Sequence, residues 1–219
     1  LDPITADFTP CIAKDWAIID DGKEYYFKID TNAKWSDGKQ ITAFDVKYTF
    51  DAIMDPKNLT GVFKVGLENF LSPEIIDTFT IKFTAKEIHW RNLLELSSLS
   101  ILPTHIFSTK DFNKINFEFP VVSGAYKIKT IKEGAFIQLE RRKNWWQANY
   151  PDMKYVNNFD ILNYRIVSNP DDAFDLFKKG MIDIYPVYVS RIWINETKGE
   201  KFDKNWIIKQ KIFNYHPIG

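Results

Sequence analysis

Large apolar and polar residues alternate through Tyr25-Tyr26-Phe27-Lys28-Ile29-Asp30, directly after the turn-forming Asp20-Asp21-Gly22. A period of two with one wet face predicts a half-buried strand leaving a hairpin turn. The period then lengthens. Val46, Thr49, Phe50 and Ile53 recur at helical spacing, and Thr42 stands three residues before Asp45, the arrangement of a capping-box helix start. That helix is expected to end before Asp55-Pro56, because a residue preceding proline is pushed out of the helical region.

Further along, the pattern predicts a strand over 78–83, short helical turns over 90–96 and 104–107, and a pair of strands over 125–131 and 136–141 joined by Lys132-Glu133-Gly134. Tyr126, Ile128 and Thr130 alternate with Lys127 and Lys129, and Ile137 and Leu139 with Gln138 and Glu140, so the pair reads as an antiparallel hairpin with one wet face. A strand over 159–166 should precede a helix with Asn169 at its N-cap, Pro170 at its first position, Ala173, Phe174 and Phe177 inward, and Gly180 closing it. Asp171 and Asp172 then sit at the positive end of the helix dipole and Lys178 and Lys179 at the negative end. Strands are also expected over 183–186 and 207–213. Strands and helices intermix without a sustained parallel rhythm, which makes the fold mixed α/β or α+β. No repeat or Gly/Ser linker divides the chain, and the change of texture near Pro120–Ser123 is the expected boundary.

Composition narrows the function. Lys plus Arg and Asp plus Glu both total 29, leaving no basic excess for a phosphate backbone or an anionic membrane surface. No stretch reaches the roughly 20 apolar residues of a membrane span. Leu1 opens into polar sequence, so an export signal is not expected within these residues. Cys11 is the only cysteine, which excludes an internal disulfide and a thiolate zinc cluster, and it is expected to be a structural thiol.

Catalytic and metal chemistry finds no candidate. His89, His105 and His216 lie far apart and share no ligand spacing, there is no Gly-x-Ser-x-Gly elbow, and the nine glycines form no phosphate-cradling loop. The pairs Asp20/Asp21 and Asp171/Asp172 are accounted for by a turn and a helix start. No catalytic residue, cofactor or metal is expected. The excess lies in rings, with seven tryptophans and ten tyrosines. Large amphipathic rings grip peptides and sugars, and Trp145, Trp146 and Trp193 are the ones expected to be partly exposed.

The stretch from Asp21 to Ile29, the block KWSDGKQITAFDVKYTFDAIMDP from Lys34 to Pro56, Leu102-Pro103-Thr104-His105, Ser123-Gly124-Ala125-Tyr126-Lys127-Ile128, Leu139-Glu140-Arg141 with Asn144 and Trp146, and Ala173 to Gly180 with Asp183 together resemble the family 5 extracellular solute-binding proteins that serve oligopeptide, dipeptide and nickel ABC importers. Trp146, Tyr150-Pro151 and Asn157-Asn158-Phe159-Asp160 are most similar to the subgroup for oligopeptides and microcin-C-type antibiotics.

The resemblance implies a partial periplasmic-binding-protein-like fold of type II: residues 1–122 as the accessory domain, 123–219 as part of the first ligand-binding lobe, and the second lobe absent. It implies a non-enzymatic protein on the periplasmic or extracellular face of a bacterial cytoplasmic membrane, with a peptide ligand and the membrane permease subunits of an ABC importer as partners, and neither nucleic acid nor direct membrane insertion. The same scaffold could instead bind a nickel chelate or an oligosaccharide, or serve a peptide-sensing receptor; an enzyme domain is the reading from another class. Candidate ligand contacts are Phe63, carried over by position alone, with Trp145, Trp193, Tyr185 and His216. Trp35, Asp37, Gly38, Thr42, Asp45, Gly124 and Tyr126 are the family-signature residues expected to be structural, since packing, a turn and a helix cap each suffice to explain the first five.

Overall fold

The computed structural model describes residues 7–114 and 118–211. Seven strands and six α-helices occur among them, with short 3-10 turns and one π-helical turn. A first sheet has the order β1 (Ala13–Ile19), β2 (Glu24–Ile29), β4 (Thr80–Thr84), β3 (Glu74–Asp77), every neighbouring pair antiparallel. The turn between β1 and β2 puts Asp20, Asp21 and Gly22 at φ 52°, 51° and 94°, the left-handed region that aspartate tolerates and glycine enters freely.

Register explains the core. Tyr25 lies opposite Phe83 and Phe27 opposite Ile81. The period-two alternation therefore sends Tyr25, Ile29, Ile81 and Phe83 to one face, where all four are buried. Helix α1 (Ala43–Met54) covers that face with Val46, Phe50 and Ile53, and Trp35, Ile41, Leu67 and Phe70 complete the cluster. Phe83 is at its centre, edge-on to Phe27, Phe50 and Phe70 with ring centroids 5.9, 6.0 and 6.2 Å away. Three short helices follow: α2 (Gly61–Leu67), α3 (Asn92–Ser97) and α4 (Thr104–Phe107).

A second sheet has the order β5 (Tyr126–Lys132), β6 (Phe136–Arg141), β7 (Ile161–Arg165), its hairpin turn closed by the Ala135 amide donating to the Lys132 carbonyl at 3.0 Å. Helix α5 (Pro170–Lys178) starts as expected, the Asn169 Oδ1 accepting the Asp171 amide at 2.9 Å, and buries Phe174. Then come a π-helical turn, Ile192–Glu196, and helix α6 (Glu200–Asp203).

Three expectations need correction. Residues 183–186 form no strand: Ile184 is 78% exposed, and the short run ends at Pro186, which has no amide to give a ladder. Residues 207–211 are irregular, and the remainder of that expected strand lies outside the described residues. Cys11 is exposed rather than packed.

The chain divides into two compact units. Among the described residues, one comprises 10–114, 118–129 and 139–162 and holds the first sheet and its core; the other comprises 7–9, 130–138 and 163–211 and holds α5 and the turns after it.

Candidate functional site

Segments far apart in sequence meet around α1 in the larger unit. The Asp45 carboxylate is 5% exposed. Its Oδ2 accepts from the Thr42 amide at 2.9 Å and the Thr42 hydroxyl at 3.2 Å, and its Oδ1 accepts from the Thr104 amide at 3.0 Å. One buried carboxylate thus caps α1 and anchors the start of α4. Thr49, one turn further on, donates to the Asp45 carbonyl at 2.7 Å and accepts the Leu102 amide at 2.9 Å. Leu102-Pro103-Thr104 is thereby hung on α1 by two main-chain amides.

The turn before α1 is fastened to the same segment. Gly38, at φ 89°, lets its amide reach the Trp35 carbonyl at 3.0 Å, and Trp35 is 2% exposed in the core. Asp37 accepts from the Lys39 amide at 3.1 Å and pairs with His105 Nε2 at 2.6 Å. Burial alone would raise the Asp37 carboxyl, but the His105 and Lys39 hydrogen bonds, with the charges of both residues, outweigh it and hold it below its ordinary value. A depressed carboxyl contributes stability that is complete above its unfolded pKa and lost as pH falls through the folded one. The stability gap between the unaltered chain and Asp37→Asn is therefore expected to shrink from about pH 5 to about pH 3, as read by thermal melts. A gap that is constant across that window would contradict the pairing.

The third segment arrives through Arg142, immediately after β6. Its guanidinium, on a residue 6% exposed, donates from Nη1 to the carbonyls of Val122 and Gly124 at 3.2 and 2.7 Å and from Nη2 to that of Trp35 at 3.3 Å. Burial lowers its pKa and the attraction of Asp37 opposes this. Ser36 exchanges hydrogen bonds with Val122 at 2.8 and 3.1 Å. Trp145 and Trp146 both donate their indole N–H to the Ser123 carbonyl at 3.1 Å. Tyr150 donates to the buried Asp30 at 2.7 Å and accepts from Asn32 at 3.1 Å; burial first, and Asp30 second, raise its phenol. Arg142 and the Asp30–Tyr150 pair were missed by sequence reasoning, and no local spacing marks them.

The remaining candidates are scattered. Phe63 is 70% exposed on α2, beside exposed Leu59, Val62 and Val65. Trp145 is half-buried with its indole N–H committed to Ser123. Gly124 is exposed and offers its carbonyl to Arg142, and Tyr126 donates to the Phe159 carbonyl at 2.9 Å. In the smaller unit, Tyr185 packs on Phe174 and Phe177 and donates to the Pro170 carbonyl at 3.1 Å. Trp193, on the π-helical turn, carries the Lys209 ammonium 4.2 Å from its ring centroid. His216 lies outside the described residues. Among the described residues, no group of three or more His, Cys, Asp or Glu side chains is positioned to hold a metal ion, and no helix is long and apolar enough to cross a membrane.

Comparison with known proteins covers nearly the whole chain. The family described as bacterial extracellular solute-binding proteins, family 5 Middle, matches residues 7–216. The peptidoglycan-binding protein YepA of Agrobacterium fabrum is 33% identical over 162 residues, 73% of this chain and 26% of that protein. YejA of Escherichia coli, an uncharacterised protein, is 28% identical over 206 residues, 93% of this chain and 33% of that protein. Among solved structures, NikZ from Campylobacter jejuni in complex with Ni(L-His) superposes with a TM-score of 0.70 at 26% identity, covering 85% of this chain and 37% of that one. The chain thus spans about a quarter to a third of the length of these curated relatives.

Proposed function

Because the chain belongs to the bacterial extracellular solute-binding proteins of family 5, we propose that it is part of the substrate-binding component of an ABC importer, one that captures oligopeptides outside the cytoplasmic membrane and delivers them to the permease. The observation that carries this reading is the family match across residues 7–216. The family is one of binding proteins rather than enzymes. The chain's mixed α/β fold agrees with such a role, in which a ligand is held between two lobes and water is excluded as they close.

In this reading residues 1–122 are the accessory domain and 123–219 part of the first lobe. An extended peptide would be held by strand-like main-chain pairing, with roomy pockets for its side chains. Trp35, Asp37, Gly38, Thr42 and Asp45 are framework residues, each already committed to a partner within the chain. Partly exposed rings, Trp145 and Trp193 among them, remain the candidate contacts. The 33% identity to YepA favours a second reading of the ligand, peptidoglycan or a fragment of it.

The test is to purify the whole protein, incubate it with a mixture of oligopeptides, peptidoglycan fragments, oligosaccharides and nickel–histidine, and identify what it retains by native mass spectrometry. Retention of peptides is expected, with peptidoglycan fragments distinguishing the second reading. Retention of oligosaccharide or nickel–histidine alone would overturn both.

A further inference from the structure

The Lys209 side chain in the smaller unit makes both its contacts with a single residue, Trp193. Its ammonium lies 4.2 Å from the Trp193 ring centroid and donates to the main-chain carbonyl of the same residue at 2.9 Å. Among the described residues no carboxylate lies within ion-pair distance of Lys209. Asp171 and Glu196, the acids that flank the turn's Arg191, are both engaged by it. The cation is therefore held by a ring face and a carbonyl, the pair of groups that a neutral site offers to an ammonium.

The main chain that carries the ring is anchored on both sides. Trp193 belongs to the π-helical turn Ile192–Glu196, a rare conformation that recurs at functional positions. Ile192 on one side is 1% exposed, and Thr197 on the other is 7% exposed with its hydroxyl donating to the Trp193 carbonyl at 2.6 Å. Lys209, by contrast, comes from the irregular segment 207–211 and is exposed. A fixed acceptor is thus paired with a donor that can leave without disturbing a core.

We propose that the Trp193 ring face and carbonyl form a site for a primary ammonium group, that Lys209 fills it in the unliganded chain, and that the amino group of a bound ligand displaces Lys209. The identity of that ligand as a peptide, through its N-terminus or a lysine side chain, rests on the function proposed above; the ammonium site itself does not. Lys209 then acts as an internal competitor that weakens the binding of ligands lacking an amino group to replace it.

The experiment uses the whole protein with 15N-labelled indoles, the Trp193 resonance assigned through Trp193→Phe. n-Butylammonium chloride is titrated against sodium chloride at equal ionic strength, into the unaltered chain and into Lys209→Gln. A saturable shift of the Trp193 indole resonance is expected, with a midpoint about two- to fivefold lower in Lys209→Gln, the range an exposed cation–π contact provides. Lys209→Met, which keeps the side-chain stem, should reproduce the lowered midpoint and serves should Lys209→Gln fail to fold. Equal midpoints in the variants and the unaltered chain, or a Trp193 resonance that does not respond, would overturn the proposal. Should butylammonium compete with Lys209 while the whole protein retains no peptide, the ammonium site stands and the peptide reading falls.

Discussion

Phe83→Ala is expected to destabilise the larger unit by about 3–5 kcal/mol, the usual cost of emptying a phenylalanine site in a close-packed core. Phe83 is 2% exposed, and three neighbouring rings meet it edge-on, Phe27 from the adjacent strand, Phe50 from α1 and Phe70 from the loop before β3. Because those rings belong to different elements, none can close the void without pulling its own backbone, and the cavity penalty adds to the lost transfer energy. Urea unfolding checks this, with Phe63→Ala as its control. Phe63 is 70% exposed, so its removal should change stability by no more than about 0.5 kcal/mol.

The second large effect is at Asp45. Asp45→Ala removes a helix cap and leaves the Thr104 amide without its acceptor, a combined cost of about 2–4 kcal/mol. Asp45→Asn retains one carbonyl oxygen and can serve only one of the two sides, so about half of that loss is expected. The same urea series measures both. Equal stability of all three proteins would show that the carboxylate does not join α4 to α1.

The features legible in the sequence are those whose cause is local. Thr42 and Asp45 lie three residues apart, which is the spacing a helix start needs, and the Tyr126–Lys132 and Phe136–Arg141 hairpin follows from alternation around a glycine turn. Asn169-Pro170 marked α5 for the same reason. Strand β1 was not legible, since Ala13–Ile19 is largely exposed at a sheet edge and takes its conformation from pairing with β2. Helix α2 has glycines at its first position and within it, against ordinary helix propensity.

The joint around α1 shows the limit most clearly. Each of its blocks was visible, Asp37-Gly38 as a turn and residues 104–107 as a short helical turn, but their meeting was not. Asp37 and His105 stand 68 residues apart, and Asp45 and Thr104 59 apart. Arg142 reaches Trp35 across 107 residues through main-chain carbonyls, which carry no sequence signal at all. Conversely, Asp183–Pro186 reads as a strand only while its neighbours are unknown.

In the proposed function, the residues that carry the family resemblance build a joint and leave ligand contact to others. This division of roles is tested most directly by measuring, in the whole protein, both the unfolding midpoint of Asp45→Asn and its Kd for the peptide found by mass spectrometry. A lowered midpoint is expected, with a Kd within about twofold of the unsubstituted protein, as for sites that do not share a contact. A Kd weakened by about tenfold or more, with the midpoint unchanged, would contradict it.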